Sequence, residues 1–258
     1  MSTLFPFLIC AFLSFYALPA FALSLPTTGN GSAILNIFST DDSTPFSYSF
    51  DFGKLLSELT PASLDTPGNR LTFNLTDLQA DLATAAGQAA LANGLVFHVS
   101  AAAITGSIAT AGAFQLLTTA APNTDAAEIT ATTSGALAAA NAQNNMFLSN
   151  LATNPAFTTD PADAFYINAN YNEIYNHLLF SAAGSTSEAL PFYRLTSNRG
   201  SSAPIQAPTK YAGAWSVDLN SSTLTYTAAN AVPVPWPLWA EVIFGTSLVW
   251  ILKRNSAC

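Results

Sequence analysis

The run Phe46-Ser47-Tyr48-Ser49-Phe50-Asp51-Phe52 puts an aromatic ring on every second residue. Successive side chains of a strand point to opposite faces, so this run is a strand with one aromatic face and one polar face. A helix would scatter the same rings around its axis. The pattern recurs along the chain. Residues 32–39 read as a strand leading into the turn-rich Asp41-Asp42-Ser43-Thr44-Pro45, and Leu71, Phe73 and Leu75 alternate again within 70–75. Residues 95–100 and 114–119 read as buried strands, with Gly106 and Gly112 at the bends between them. Further strands are expected at 164–168, 175–181, 189–195, 214–219 and 223–228. Asn220-Ser221-Ser222 marks a hairpin between the last two.

Helical signals are fewer. One or two turns are expected at 54–59. An Ala-rich helix over 78–91 follows a cap signal at Thr76-Asp77 and stops at Asn93-Gly94. Residues 125–151 are rich in Ala, Asn and Gln and read as helix, interrupted by Thr130, Thr132, Thr133 and Gly135. Short strands with regular turn signals predict a mainly β domain over 23–230, a jelly-roll-like β-sandwich with helical insertions whose first and last strands are neighbours.

Charged residues make up only 9% of the 258 residues, against the roughly 25% usual in soluble domains. Polarity comes from Ser, Thr and Asn, which suit strands and turns, and an aromatic share of 12% can fill a core. The net charge is −8, and of the seven basic residues Lys253 and Arg254 fall in the C-terminal tail. The stretch between the two ends is therefore strongly acidic and carries no basic stripe, which argues against nucleic acid as a partner. The two cysteines, Cys10 and Cys258, sit at the extremes, so the domain between them has no internal disulfide.

Both ends are apolar. Residues 4–20 form a nearly unbroken apolar run followed by Ala20-Phe21-Ala22, a small-x-small signal that places cleavage after Ala22 and makes 1–22 a signal peptide, with signal peptidase as partner. No Lys or Arg precedes the run, so an uncleaved N-terminal helix is the alternative. Cys10 is read as an ordinary apolar residue of the run. At the other end, alternating prolines in Val232-Pro233-Val234-Pro235-Trp236-Pro237 make 231–237 a stiff extended spacer. Residues 238–254 then form an apolar segment with a basic end. A helix over 236–252 would be about 25 Å long. Trp236 and Trp239 suit the outer interface and Lys253-Arg254 the cytoplasmic one, while Glu241 lies one turn in, within reach of headgroups. A buried core helix is the alternative for this segment.

The order of motif, apolar helix and basic end at 232–254 resembles the PEP-CTERM class of bacterial sorting signals, which are handled by membrane proteases called exosortases. The motif here is Val232-Pro233-Val234-Pro235, where that class carries Val-Pro-Glu-Pro or Pro-Glu-Pro. The resemblance implies an exosortase-like partner, passage through the inner membrane, and cleavage near 232–235 that frees the domain to the surface or extracellular space. Residues 114–120, and Gly213-Ala214-Trp215-Ser216-Val217-Asp218-Leu219 with Leu224-Thr225-Tyr226, also resemble a recurrent β-domain of such proteins. That likeness implies no activity.

Chemistry is sparse between the ends. His98 and His177 are the only histidines, which rules out a multi-histidine zinc site, and His98 reads as a structural or surface residue. Glu173 and His177 stand at i, i+4 with Asp163 nearby, amid Tyr166, Tyr171 and Tyr175. No nucleophile elbow and no phosphate loop occurs. Asp41-Asp42-Ser43 and Asp160-Pro161-Ala162-Asp163 read as solvated acidic turns rather than Ca²⁺ loops. No catalytic residue, metal or cofactor is expected. Tyr166, Tyr171 and Tyr175 with the asparagines among them form a candidate sugar platform, since rings stack on sugars and amides bond their hydroxyls. The leading expectation is a non-catalytic surface or matrix protein, adhesive or structural, acting on polysaccharide or by self-association. The alternatives are a carbohydrate-binding module and a glycan-active enzyme whose site is assembled only by the fold.

Overall fold

The computed structural model describes residues 23–167 and 177–229. Residues 1–22, read above as a signal peptide, Tyr171, Glu173, Tyr175, residues 231–237 with Val232, Pro233, Val234, Pro235 and Trp236, and residues 238–254 with Trp239, Lys253 and Arg254 lie outside the described residues. Among the described residues no helix is long and apolar enough to cross a membrane.

The domain is mainly β. In chain order the strands are β1 (Ser32–Phe38), β2 (Ser47–Leu55), β3 (Arg70–Asn74), β4 (Val96–Ile104), β5 (Phe114–Thr119), β6 (Ala156–Thr158), β7 (Gly184–Ser185), β8 (Leu190–Thr196), β9 (Thr209–Asp218) and β10 (Thr223–Thr227). The helices are α1 (Pro61–Leu64), α2 (Leu78–Leu82), α3 (Ala85–Asn93), α4 (Ala126–Ala131) and α5 (Ser134–Asn150). All strand pairs are antiparallel and join one sheet in the order β3-β10-β9-β8-β5-β4-β1-β2-β6, with β7 beside β4.

This corrects the sandwich expectation in its layering. The strands do not divide into two sheets; a single antiparallel sheet curls into a half-barrel. Periodicity fixes where strands lie and which face is apolar, but not which strand each one bonds to. The curl is visible in side chains. Phe52 of β2 lies 5.5 Å from Trp215 of β9 and 4.8 Å from Phe73 of β3, ring to ring, although these strands are far apart along the sheet. One sheet folded toward itself thus achieves the face-to-face packing that two sheets would give. The first and last strands are not neighbours: β1 lies between β2 and β4, and β10 between β3 and β9.

Both faces of the sheet are covered. Inside the curl, Leu35, Ile37, Tyr48, Phe97, Phe192 and Trp215 form one core with leucines from α1, α2 and the adjoining segments. On the other face, Ile34, Phe38, Leu116 and Leu195 pack under α4 and α5 through Ile129, Leu137, Ala140 and Phe147. Every residue of β1 is buried for this reason.

Several local expectations shift. The helices expected at 78–91 and 125–151 are each split, and the breaks supply the caps: Thr84 Oγ1 accepts the Gly87 N–H and Thr133 Oγ1 accepts the Ala136 N–H. The cap signal at Asp77 makes no side-chain capping bond; that residue instead adopts a left-handed conformation, φ 62°. Residues 164–167 and 177–181 are not strand, while the short strands β6 and β7 carried no legible pattern. At Gly213 a Cβ would stand 2.6 Å from the Tyr226 hydroxyl, so only glycine allows β9 and that ring so close.

Candidate functional site

The polar face of β2 does not meet solvent. Ser47, Ser49 and Asp51 are buried, together with Asn36 of β1, His98 and Ser100 of β4, and Thr118 of β5. They form a polar seam across the outer face of the sheet, whose β4–β5 part lies beneath α5. Ser49 Oγ donates to Asn36 Oδ1 at 2.7 Å, and Asn36 is opposite His98 in the β1–β4 register. His98 Nε2 lies 3.3 Å from Thr118 Oγ1, whose own proton goes to the Thr119 carbonyl at 2.9 Å. The threonine oxygen must then accept, which assigns the Nε2–H tautomer to a neutral imidazole. From the helix side, Asn144 reaches Ser100, and Asn141 Nδ2 donates to the carbonyls of Ala103 and Gln115 at 3.1 and 2.9 Å. These amides tie α5 to the backbone of β4 and β5.

Burial lowers the His98 pKa from 6.5 to about 3, because the imidazolium would lose its hydration. The ring is 0% exposed. A neutral, sealed imidazole has no access to an external substrate, so His98 is a structural residue of the seam. Asp51 stands at the seam's end, where it borders a cleft of about 210 Å³ with Leu23, Leu151, Ala152, Thr153 and Asn154. Asn154 holds the Asp51 backbone from both sides, accepting its N–H and donating to its carbonyl at 2.9 Å each. Burial raises the Asp51 pKa, while bonds from Gly53 and Ser32 act the other way.

Of the three platform tyrosines, Tyr166 lies among the described residues, and its burial does not suit stacking. Tyr166 is 1% exposed, so its ring faces are closed to a stacking sugar. Its hydroxyl lies 3.4 Å from Asp42 Oδ1, and its N–H donates to the Asp163 carbonyl. It therefore joins the two acidic turns. Burial, then the nearby Asp42 charge, raises its pKa to about 12. Within the turns, Asp41 Oδ1 accepts the Ser43 N–H at 2.8 Å, Asp160 Oδ1 accepts the Ala162 N–H at 2.9 Å, and Asp163 accepts the Thr158 hydroxyl. Backbone and hydroxyl donors occupy these carboxylates, as in ordinary Asx turns. His177 is exposed. Among the described residues no group of three or more His, Cys, Asp or Glu side chains is arranged to hold a metal ion.

Asn36, Ser49, Asp51, Asn141 and Asn144 went unnoticed as a set in the sequence. The available signal was Phe97-His98-Val99-Ser100-Ala101-Ala102-Ala103-Ile104, whose nearly continuous small and apolar character marks a strand covered on both faces. Comparison with family models, curated proteins and solved structures finds no match for the chain.

Proposed function

We propose that the chain is an exported, non-catalytic protein of a bacterial surface or extracellular matrix, where its β domain serves adhesion or structure. The order of parts along the sequence carries this reading. An apolar leader ends in Ala20-Phe21-Ala22, a cysteine-free and charge-poor body follows, and the Val232-Pro233-Val234-Pro235 spacer precedes the apolar segment 238–254 with Lys253-Arg254. In this reading signal peptidase removes 1–22. The C-terminal segment then holds the protein in the inner membrane, with Trp236 and Trp239 at the outer interface. An exosortase-like protease afterwards cuts near 232–235 and passes the domain outward. The strands lie between the two apolar ends, which accords with a folded body handled through its termini. The neutral, sealed His98 and the occupied acidic turns accord with a role that needs no chemistry.

Intact-mass measurement of the protein from native membranes and from the surface fraction tests the reading. The membrane form is expected to begin at Leu23 and retain its tail, and the surface form to end within 231–237. A single species that keeps both ends and fractionates with the cytosol overturns the export reading. Glycan hydrolysis by the purified protein, abolished by a carboxylate substitution, overturns the non-catalytic one.

A further inference from the structure

The cleft beside residues 151–154 contains a carboxylate that no cation among the described residues balances. Asp51 is 8% exposed and accepts the Gly53 N–H at 2.8 Å, and the Ser32 side chain is near enough to help lower its pKa. The ion pair among the described residues, Lys54 with Glu58, does not involve it. Neutral donors offset the loss of hydration of a buried carboxylate only in part; a cation would complete it. The first described residues lead toward this group. Ser24 and Ser32 are paired in both directions: the Ser24 N–H donates to Ser32 Oγ at 2.9 Å, and the Ser32 N–H donates to the Ser24 carbonyl at 2.8 Å. Ser32 therefore holds the Ser24 nitrogen on the side of β1 that neighbours Asp51. Leu23, one residue earlier, borders the same cleft as Asp51, and the side chains of Leu23 and Leu25 pack against the outer core. The backbone at Leu23 is thus fixed beside a buried anion.

We propose that Asp51 is the acceptor for the α-ammonium that leader removal creates at Leu23, so that the mature N-terminus completes the cleft and fastens the start of the chain to β2. The inference rests on cleavage after Ala22, the reading given above. While the leader is attached, the Leu23 nitrogen is a neutral amide with one proton. Cleavage converts it to a cation with three donors at a position already set by the Ser24–Ser32 pair. Leader removal thereby becomes a step in finishing the fold.

The full-length chain, exported, processed and purified in detergent, tests this through acylation of its α-amine at pH 7. A neighbouring carboxylate raises an α-amine above its usual pKa of about 7.7–8.0, and a rise of one unit lowers the reactive free amine about tenfold at this pH. The Leu23 terminus is expected to react about tenfold more slowly than that of a chain with Gly-Ser inserted between Ala22 and Leu23. Asp51→Asn is expected to restore the fast rate. Equal rates in all three proteins, on chains whose mass begins at the intended residue, overturn the proposal and leave the export reading standing. A slow rate that persists in Asp51→Asn assigns the protection to burial rather than charge and also overturns it. If Asp51→Asn does not accumulate, the insertion variant decides alone. A mass that retains residues 1–22 overturns the cleavage reading, and the proposal with it.

Discussion

Replacing His98 by Gln isolates the cost of protonating the polar seam. Glutamine keeps a donor for Thr118 Oγ1 but does not titrate. In the folded protein the His98 pKa is lowered to about 3, against 6.5 for the unfolded chain. The sign follows from proton uptake: between these values the unfolded chain binds a proton that the folded one refuses, so acid favours unfolding. The effect begins as the pH falls through 6.5 and levels off near 3. Each unit of difference is about 1.36 kcal/mol, so the wild type should lose about 3 kcal/mol through His98 between pH 7 and pH 4. The ring has no solvent exposure to weaken this. Other groups titrate in the same range. Asp41, Glu58 and Asp218 have lowered pKa values and make acid unfavourable, whereas Asp51 and Asp81 have raised values and act in the opposite direction. They are common to both proteins and cancel in the comparison. Urea unfolding at pH 7 and pH 4 should show the wild type losing about 3 kcal/mol more than His98→Gln. Equal losses in the two proteins would refute the argument, because His98 would then gain its proton without disturbing the fold.

Two further substitutions test the packing. Trp215→Ala removes a fully buried ring set among Phe52, Phe73, Phe192 and Tyr226, and should cost about 3–5 kcal/mol in urea unfolding. Asn141→Leu leaves the Ala103 and Gln115 carbonyls without their side-chain donor beneath α5, and should cost about 1–3 kcal/mol, with faster amide exchange in α5 than in β9.

The strands were largely legible because their alternation is strong. β2 and β3 lie where period-two runs put them, β1, β5, β8 and β10 where apolar runs between turn residues do, and Asn220-Ser221-Ser222 does connect β9 to β10. Pairing was not legible. Nothing local in β2 shows that Phe52 will meet Trp215, 163 residues later, when the sheet curls. The burial of Ser47, Ser49 and Asp51 was not legible for a related reason: alternation distinguishes two faces but does not say whether the second meets water. Here it is buried, and Asn36, Asn154 and the Ile167 N–H provide partners that make burial tolerable. Tyr166 failed as a platform residue because residue type alone does not distinguish an exposed ring from one buried behind Asp42.

Strand β1 belongs to two cores at once, with Leu35 and Ile37 in one and Ile34 and Phe38 in the other. Neither layer can melt without releasing the strand on which its counterpart is built. This arrangement gives resistance to nicking, since a protease must wait for the whole body to open before either half of the interior becomes cuttable.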